Sequence, residues 1–160
     1  MAAAASADTI DQSFAAPPTA ALTLGNCCAF AQTFTAGGSG TLTQVSLLWQ
    51  VQHGSAQLQI TTVSGGLPTS TILSTATVTP GSYNLSQFIV LPTTVPITGG
   101  TQYSILVTPA AGTNVNLWGG LSLVYPGGSA WLTSNQGINW APLPFPALDF
   151  QTAGIPAPGP

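Results

Sequence analysis

The chain has 160 residues, 44 % of them hydrophobic and only 2 % charged, with a formal charge of −3. It contains no Lys or Arg, and its only acidic side chains are Asp8, Asp11 and Asp149. Without cations to hold phosphate, nucleic-acid partners and a polybasic membrane anchor are ruled against. The length suits one domain with a substantial core, and the apolar content argues for packed structure over disorder.

In chain order, residues 1–21 read as an N-terminal arm. Met1 to Ala7 are small and uncharged, without the positive start and long apolar run of a secretory signal. Pro17-Pro18 then blocks regular hydrogen bonding. Such an arm either stays loose or orders against a neighbouring subunit. From Leu22 the texture changes to short β-prone runs broken by Gly and Pro. Ala29–Thr35 places Phe30, Gln32 and Phe34 on one face. Thr41–Gln52 is the clearest strand, with Val45, Leu47, Trp49 and Val51 alternating with Ser46, Leu48, Gln50 and Gln52. In the next run Gln57, Gln59 and Thr61 face away from Leu58 and Ile60.

Residues 65–70, Gly-Gly-Leu-Pro-Thr-Ser, read as a loop. Further strands are expected at Leu73–Thr79, Asn84–Val90, Thr101–Thr108, Val115–Trp118 and Leu121–Tyr125, with Phe145–Gln151 closing the domain. Residues 153–160 read as a Pro-rich extended tail that cannot continue a sheet. The expected organisation is an arm (1–21), one domain (22–152) and a tail (153–160). No run shows helical periodicity, and none is long enough to span a bilayer, so membrane insertion is not expected. The alternation predicts an all-β, two-layer antiparallel β-sandwich.

Cys27-Cys28 is the sharpest local feature. An ordinary zinc site needs four Cys or His ligands and only His53 could join the pair, so no metal is expected there. Three arrangements are open: bonds to other chains, a buried reduced pair, or a bond between the neighbours themselves. Adjacency makes the last awkward for the peptide, whereas cross-links through Cys27 and Cys28 would fix subunits together in an oxidising environment.

Catalysis finds few parts. His53 sits beside Gly54 in a polar turn, there is no Gly-x-Ser-x-Gly elbow, and of the two carboxyl groups a glycosidase needs the chain offers only Asp, with two of the three in the apparent arm. No enzyme activity and no cofactor are expected. Asp11 and Asp149 are a weak Ca²⁺ candidate if the first and last strands are neighbours. The simpler reading has them as solvated acids. Asn84-Leu85-Ser86 fits the glycosylation acceptor pattern, a weak signal by itself.

Aromatic residues gather late in the chain. Trp118, Tyr125, Trp131 and Trp140 lie among Asn114, Asn116, Asn135, Gln136 and Asn139. Rings that stack on sugar faces, with amides reading hydroxyls, would make a carbohydrate site without charge. The competing reading puts these rings in the core or in subunit contacts.

The segment Ala31-Gln32-Thr33-Phe34-Thr35-Ala36-Gly37-Gly38-Ser39-Gly40-Thr41-Leu42-Thr43-Gln44-Val45-Ser46-Leu47 resembles the opening of a family of bacterial secreted β-sandwich domains. Gly66-Leu67-Pro68-Thr69 resembles its "GxPT" loop. Gly100-Thr101-Gln102-Tyr103-Ser104-Ile105-Leu106-Val107 resembles its "GTxYxIxV" strand. Tyr125-Pro126-Gly127-Gly128, followed by Trp140 and by Asp149-Phe150, resembles its closing motifs. The resemblance covers about residues 22 to 152. It implies a jelly-roll-like sandwich in exported surface proteins, with sugar binding or adhesion as suggested roles. The paired cysteines depart from that pattern.

Two functions follow as expectations. The first is a non-enzymatic subunit of an extracellular or cell-surface fibre, tube or coat, whose partner is a copy of itself. The weak charge makes such self-association electrostatically cheap. The second is a carbohydrate-binding or adhesion domain using the late Trp residues.

Overall fold

The computed structural model describes residues 8–15, 20–25, 27–120, 124–134, 138–144 and 146–158. Its strands, in chain order, are β1 (Thr9–Phe14), β2 (Ala20–Leu24), β3 (Ala29–Thr35), β4 (Gly40–Leu47) and β5 (Trp49–His53). Then come β6 (Ala56–Ser64), β7 (Leu67–Val78), β8 (Gly81–Tyr83), β9 (Ile89–Ile97) and β10 (Gln102–Pro109). The last are β11 (Asn114–Gly120), β12 (Ala130–Thr133), β13 (Ala141–Pro142), β14 (Ala147–Leu148) and β15 (Phe150–Pro156). No helix occurs among the described residues.

The strands form three antiparallel sheets. Sheet I has the order β1-β15-β4-β9, and sheet III the order β13-β12-β3-β10-β6-β7. Sheet II has the order β14-β11-β5-β8, with β2 also paired to β11. Two aromatic contacts from β3 define the layers. Phe34 meets Phe150 of sheet I at 6.3 Å between ring centroids, and Phe30 meets Trp49 of sheet II at 6.2 Å. Sheets I and II therefore lie side by side opposite sheet III, and the protein is an all-β sandwich of two layers. Period-two alternation supplies the core between them: Leu58 and Ile60, Ile105 and Val107, Val45 and Leu47, and Val115 and Leu117 are all buried in one cluster. Each large buried side chain contributes about 1.5–3 kcal/mol. A single surface hydrogen bond contributes less, about 0.5–1.5 kcal/mol, so the core sets the architecture.

The single strand expected at Thr41–Gln52 is two. Val45, Leu47, Trp49 and Val51 are all buried as the alternation requires, but β4 belongs to sheet I and β5 to sheet II. The chain bends at Leu48, whose N–H bonds to the Asp149 carbonyl at 3.0 Å. There the β14–β15 segment makes the same crossing in the opposite direction.

Other boundaries move for local reasons. The loop expected at 65–70 is only a Gly65-Gly66 turn, both residues at positive φ, and Leu67–Ser70 opens β7. Asn84–Val90 is mostly a turn: the Asn84 carboxamide oxygen accepts the Ser86 N–H at 2.9 Å, and the Gln87 N–H bonds to the Asn84 carbonyl. β9 runs through Pro92 and Pro96, which is permitted because it is an edge strand of sheet I. The expected strand at Leu121–Tyr125 falls largely on residues 121–123, outside the described residues, as does Phe145.

The ends are more ordered than the sequence suggests. Two stretches of the expected arm are strands, β1 on the edge of sheet I and β2 against β11. The expected tail is likewise sheet as far as Pro156, where β15 pairs with β4. Gly154 permits this close approach, because a Cβ there would run into the Thr41 carbonyl.

Candidate functional site

The strands of sheet III carry a second, outward row of side chains. Registered pairings place Trp131, Ala31, Leu106, Gln59 and Thr75 side by side across β12, β3, β10, β6 and β7. Pro142 of β13 extends the row beyond Trp131. Because β3 presents Ala29 and Ala31 outward, where its inner face has Phe30 and Phe34, the row sinks into a trough. Trp140 walls it on one side and Pro68 to Ile72 of β7 on the other, enclosing a cavity of about 290 Å³ over Ala29, Leu106, Thr108 and Gln59.

The polar groups along this trough are uncharged. Gln59 Nε2 donates to Thr75 Oγ1 at 3.4 Å, and Gln57 Nε2 donates to Thr77 Oγ1 at 3.2 Å. The indole N–H groups of Trp131 and Trp140 are buried and meet no acceptor among the described residues. Such a donor is costly to leave unpaired.

The four candidate aromatics therefore part company. Trp140 lines the trough, whereas Trp131 stands in the outward row beside Ala31 and is not part of the cavity wall. Trp118 stands on the opposite layer, half-buried, beside an open hollow of about 400 Å³ with Tyr83 and Gln50. The amides there serve one another: Thr23 Oγ1 donates to Asn116 Oδ1 at 2.8 Å, and Asn116 Nδ2 donates to Gln50 Oε1 at 3.1 Å.

Tyr125 is in the core at 5 % exposure, with Phe150 edge-on at 5.1 Å and Phe14 at 5.8 Å. Its hydroxyl donates to Gln12 Oε1 at 2.7 Å. With its ring packed by these neighbours it cannot stack on a sugar. Burial pushes its phenol above the usual 10.0; a backbone hydrogen bond involving Thr35 opposes this, and the charge of Asp11 adds to it. Asn135 and Gln136 lie outside the described residues.

Cys27 and Cys28 are bonded to each other, and the described residues include no free cysteine. This is the arrangement that adjacency argued against. It corrects the expectation of cross-linking, since neither sulfur is left to reach another chain. Cys27 is exposed, while Cys28 packs partly against the core.

Asp11 and Asp149 are held apart along the β1–β15 ladder. The Asp11 carboxylate accepts the N–H groups of Gly37 at 3.0 Å and Gly38 at 3.1 Å, which ties β1 to the loop before β4. Asp149 is buried at the sheet corner, beyond the Phe14–Phe150 pair that ends the β1–β15 ladder. Among the described residues no three potential ligands gather for a metal. His53 is exposed at the end of β5, opposite Asn114.

Residue type points to the trough's one ring, Trp140, but not to its floor and far wall. The available signal was Ala at alternate positions of a strand whose other face is bulky.

The sequence matches no family model and no curated protein, so the resemblance of its motifs to secreted sandwich domains stands on those motifs.

Proposed function

We propose that this chain is a non-enzymatic structural subunit of an extracellular assembly, joined to its neighbours by exchange of the N-terminal strand β1. The observation that carries this reading is the position of β1: an edge strand of sheet I, held by a self-contained set of contacts. It makes five registered pairs with β15, Phe14 packs against Tyr125, Gln12 bonds to Tyr125 and Thr152, and Asp11 bonds to Gly37 and Gly38. The β1 of a second copy can make every one of these contacts, and β1 is followed by Pro17-Pro18 in the sequence.

Exposed apolar side chains support the same reading. Ile10 is 51 % exposed and lines, with Ile97 and Ile155, a cavity of about 340 Å³ beside β1. With no cations and three acids, copies of the chain repel one another weakly. The Cys27–Cys28 bond takes disulfides out of the joint but suits an oxidising compartment such as the cell exterior. A second reading, glycan binding or adhesion, is favoured by the Trp140 trough.

Light scattering coupled to size exclusion, with electron microscopy, tests the first reading on the full chain and on a variant lacking residues 1–15. The full chain is expected to form oligomers. The shortened chain should be monomeric and should bind a synthetic peptide of residues 8–15. A full chain that stays monomeric at high concentration, or an assembly indifferent to the deletion, would refute strand exchange.

A further inference from the structure

We infer that the trough between Trp140 and the Pro68–Ile72 segment binds a single unit of a neutral saccharide. This rests on the glycan reading and is independent of strand exchange.

The size of the trough limits its occupant. At about 290 Å³ the cavity lies at the small end of ligand pockets, which run from about 300 to 1,000 Å³. It suits one sugar ring better than a peptide segment.

The chemistry of the wall limits it further. No ionisable side chain lines the trough, so a charged ligand would lose its hydration and find no counter-charge. A wholly apolar ligand would cover Leu106, Ile72 and Trp140 but would strip water from Gln59, Ser70 and Thr108 without replacing it. A neutral sugar meets both conditions, with an apolar ring face for the indole and a rim of hydroxyls for the amide and hydroxyl groups.

The bonding state of Gln59 points the same way. Gln59 Nε2 is committed to Thr75, which fixes the amide and leaves Oε1 as the acceptor available to a sugar hydroxyl.

The test uses the full chain and titration calorimetry against neutral hexasaccharides of glucose in both linkages, mannose, xylose and N-acetylglucosamine, with oligogalacturonate as the charged probe. Saturable binding to at least one neutral probe is expected, and none to oligogalacturonate. Trp140→Ala and Gln59→Leu should each weaken binding at least tenfold, while Trp118→Ala leaves it unchanged. If Trp140→Ala fails to fold by circular dichroism, Gln59→Leu carries the test. Shifts of the Gln59 side-chain amide and Trp140 indole signals in NMR titrations of the unaltered chain then locate the ligand. No binding across the neutral panel, loss of binding only on Trp118→Ala, or preference for the charged probe would overturn the inference. Oligomer size measured on the same variants separates this outcome from that of strand exchange, which Trp140→Ala should leave intact.

Discussion

Gln32 Oε1 accepts the Leu148 N–H at 2.7 Å, bridging the two layers of the sandwich from within the core. Gln32 is fully buried at 0 % exposure, and its Nε2 donates to the Thr33 carbonyl at 2.9 Å. Both ends of the amide are thus used, which is what allows a polar side chain to sit between Phe30 and Phe34. Leu148 belongs to the short strand β14, and the bridge gives that strand a fixed position against sheet III.

Replacing Gln32 by Met keeps the volume and removes the bridge. The Leu148 N–H is then buried without this acceptor, and stability is expected to fall by about 1–3 kcal/mol. Urea unfolding at neutral pH measures it. An unchanged midpoint would show that the bond contributes nothing net.

Alkaline pH should expose the burial of Tyr125. Its folded-state pKa is raised above 10.0, chiefly by desolvation, so the neutral phenol is favoured in the fold. The resulting stability is present below pH 10 and is lost as pH rises through the folded-state value. Tyr125→Phe should be less stable at pH 7 by about 0.5–1.5 kcal/mol, from the lost bond to Gln12. It should also lose less stability than the unaltered chain between pH 9 and pH 11 (on the order of the shift itself). Parallel slopes across that range would contradict this account.

Gly128 is required by space. A Cβ there would collide with the Thr33 carbonyl, so Gly128→Ala must push the turn after Tyr125 away from β3. The expected cost is about 1–3 kcal/mol. Gly38→Ala is the control, since a Cβ at Gly38 meets nothing within 4 Å. Thermal melts of the pair should differ clearly.

The cysteines should prove self-contained. Alkylation of the unreduced, unfolded chain is expected to add no label, and alkylation after reduction to add two, read by intact mass. Denaturing gels without reductant should show only the single chain. Oligomer size should survive Cys27→Ser combined with Cys28→Ser.

Much of the inner face was legible in the sequence because alternation reports directly on burial. The run Ala29–Thr35 coincides with β3, and the row Val45, Leu47, Trp49 and Val51 is buried throughout. Alternation does not report which strand lies alongside, so the change of sheet at Leu48 was hidden. β9 was hidden by Pro92 and Pro96, residues that mark a break in a central strand but are tolerated at an edge. Proline had the same effect at both ends, where Pro17-Pro18 and the last residues suggested loose segments although β1 and β15 pair with each other. At the trough, residue type identified Trp140 but also gathered Trp118, Tyr125 and Trp131, which do not line it. Closeness along the chain says little when successive strands cross between layers. The floor over Ala29 is made by a missing side chain, which composition does not announce.

The β1–β15 ladder also bears on mechanics. Thr9 lies opposite Gly154, so the described chain leaves both strands at the same end of the ladder. Tension between the two ends would load one rung at a time, as in opening a zip, instead of shearing all rungs together. Such a link gives way at low force, pays out the length of one strand while the sandwich stays shut, and can close again when the load is removed.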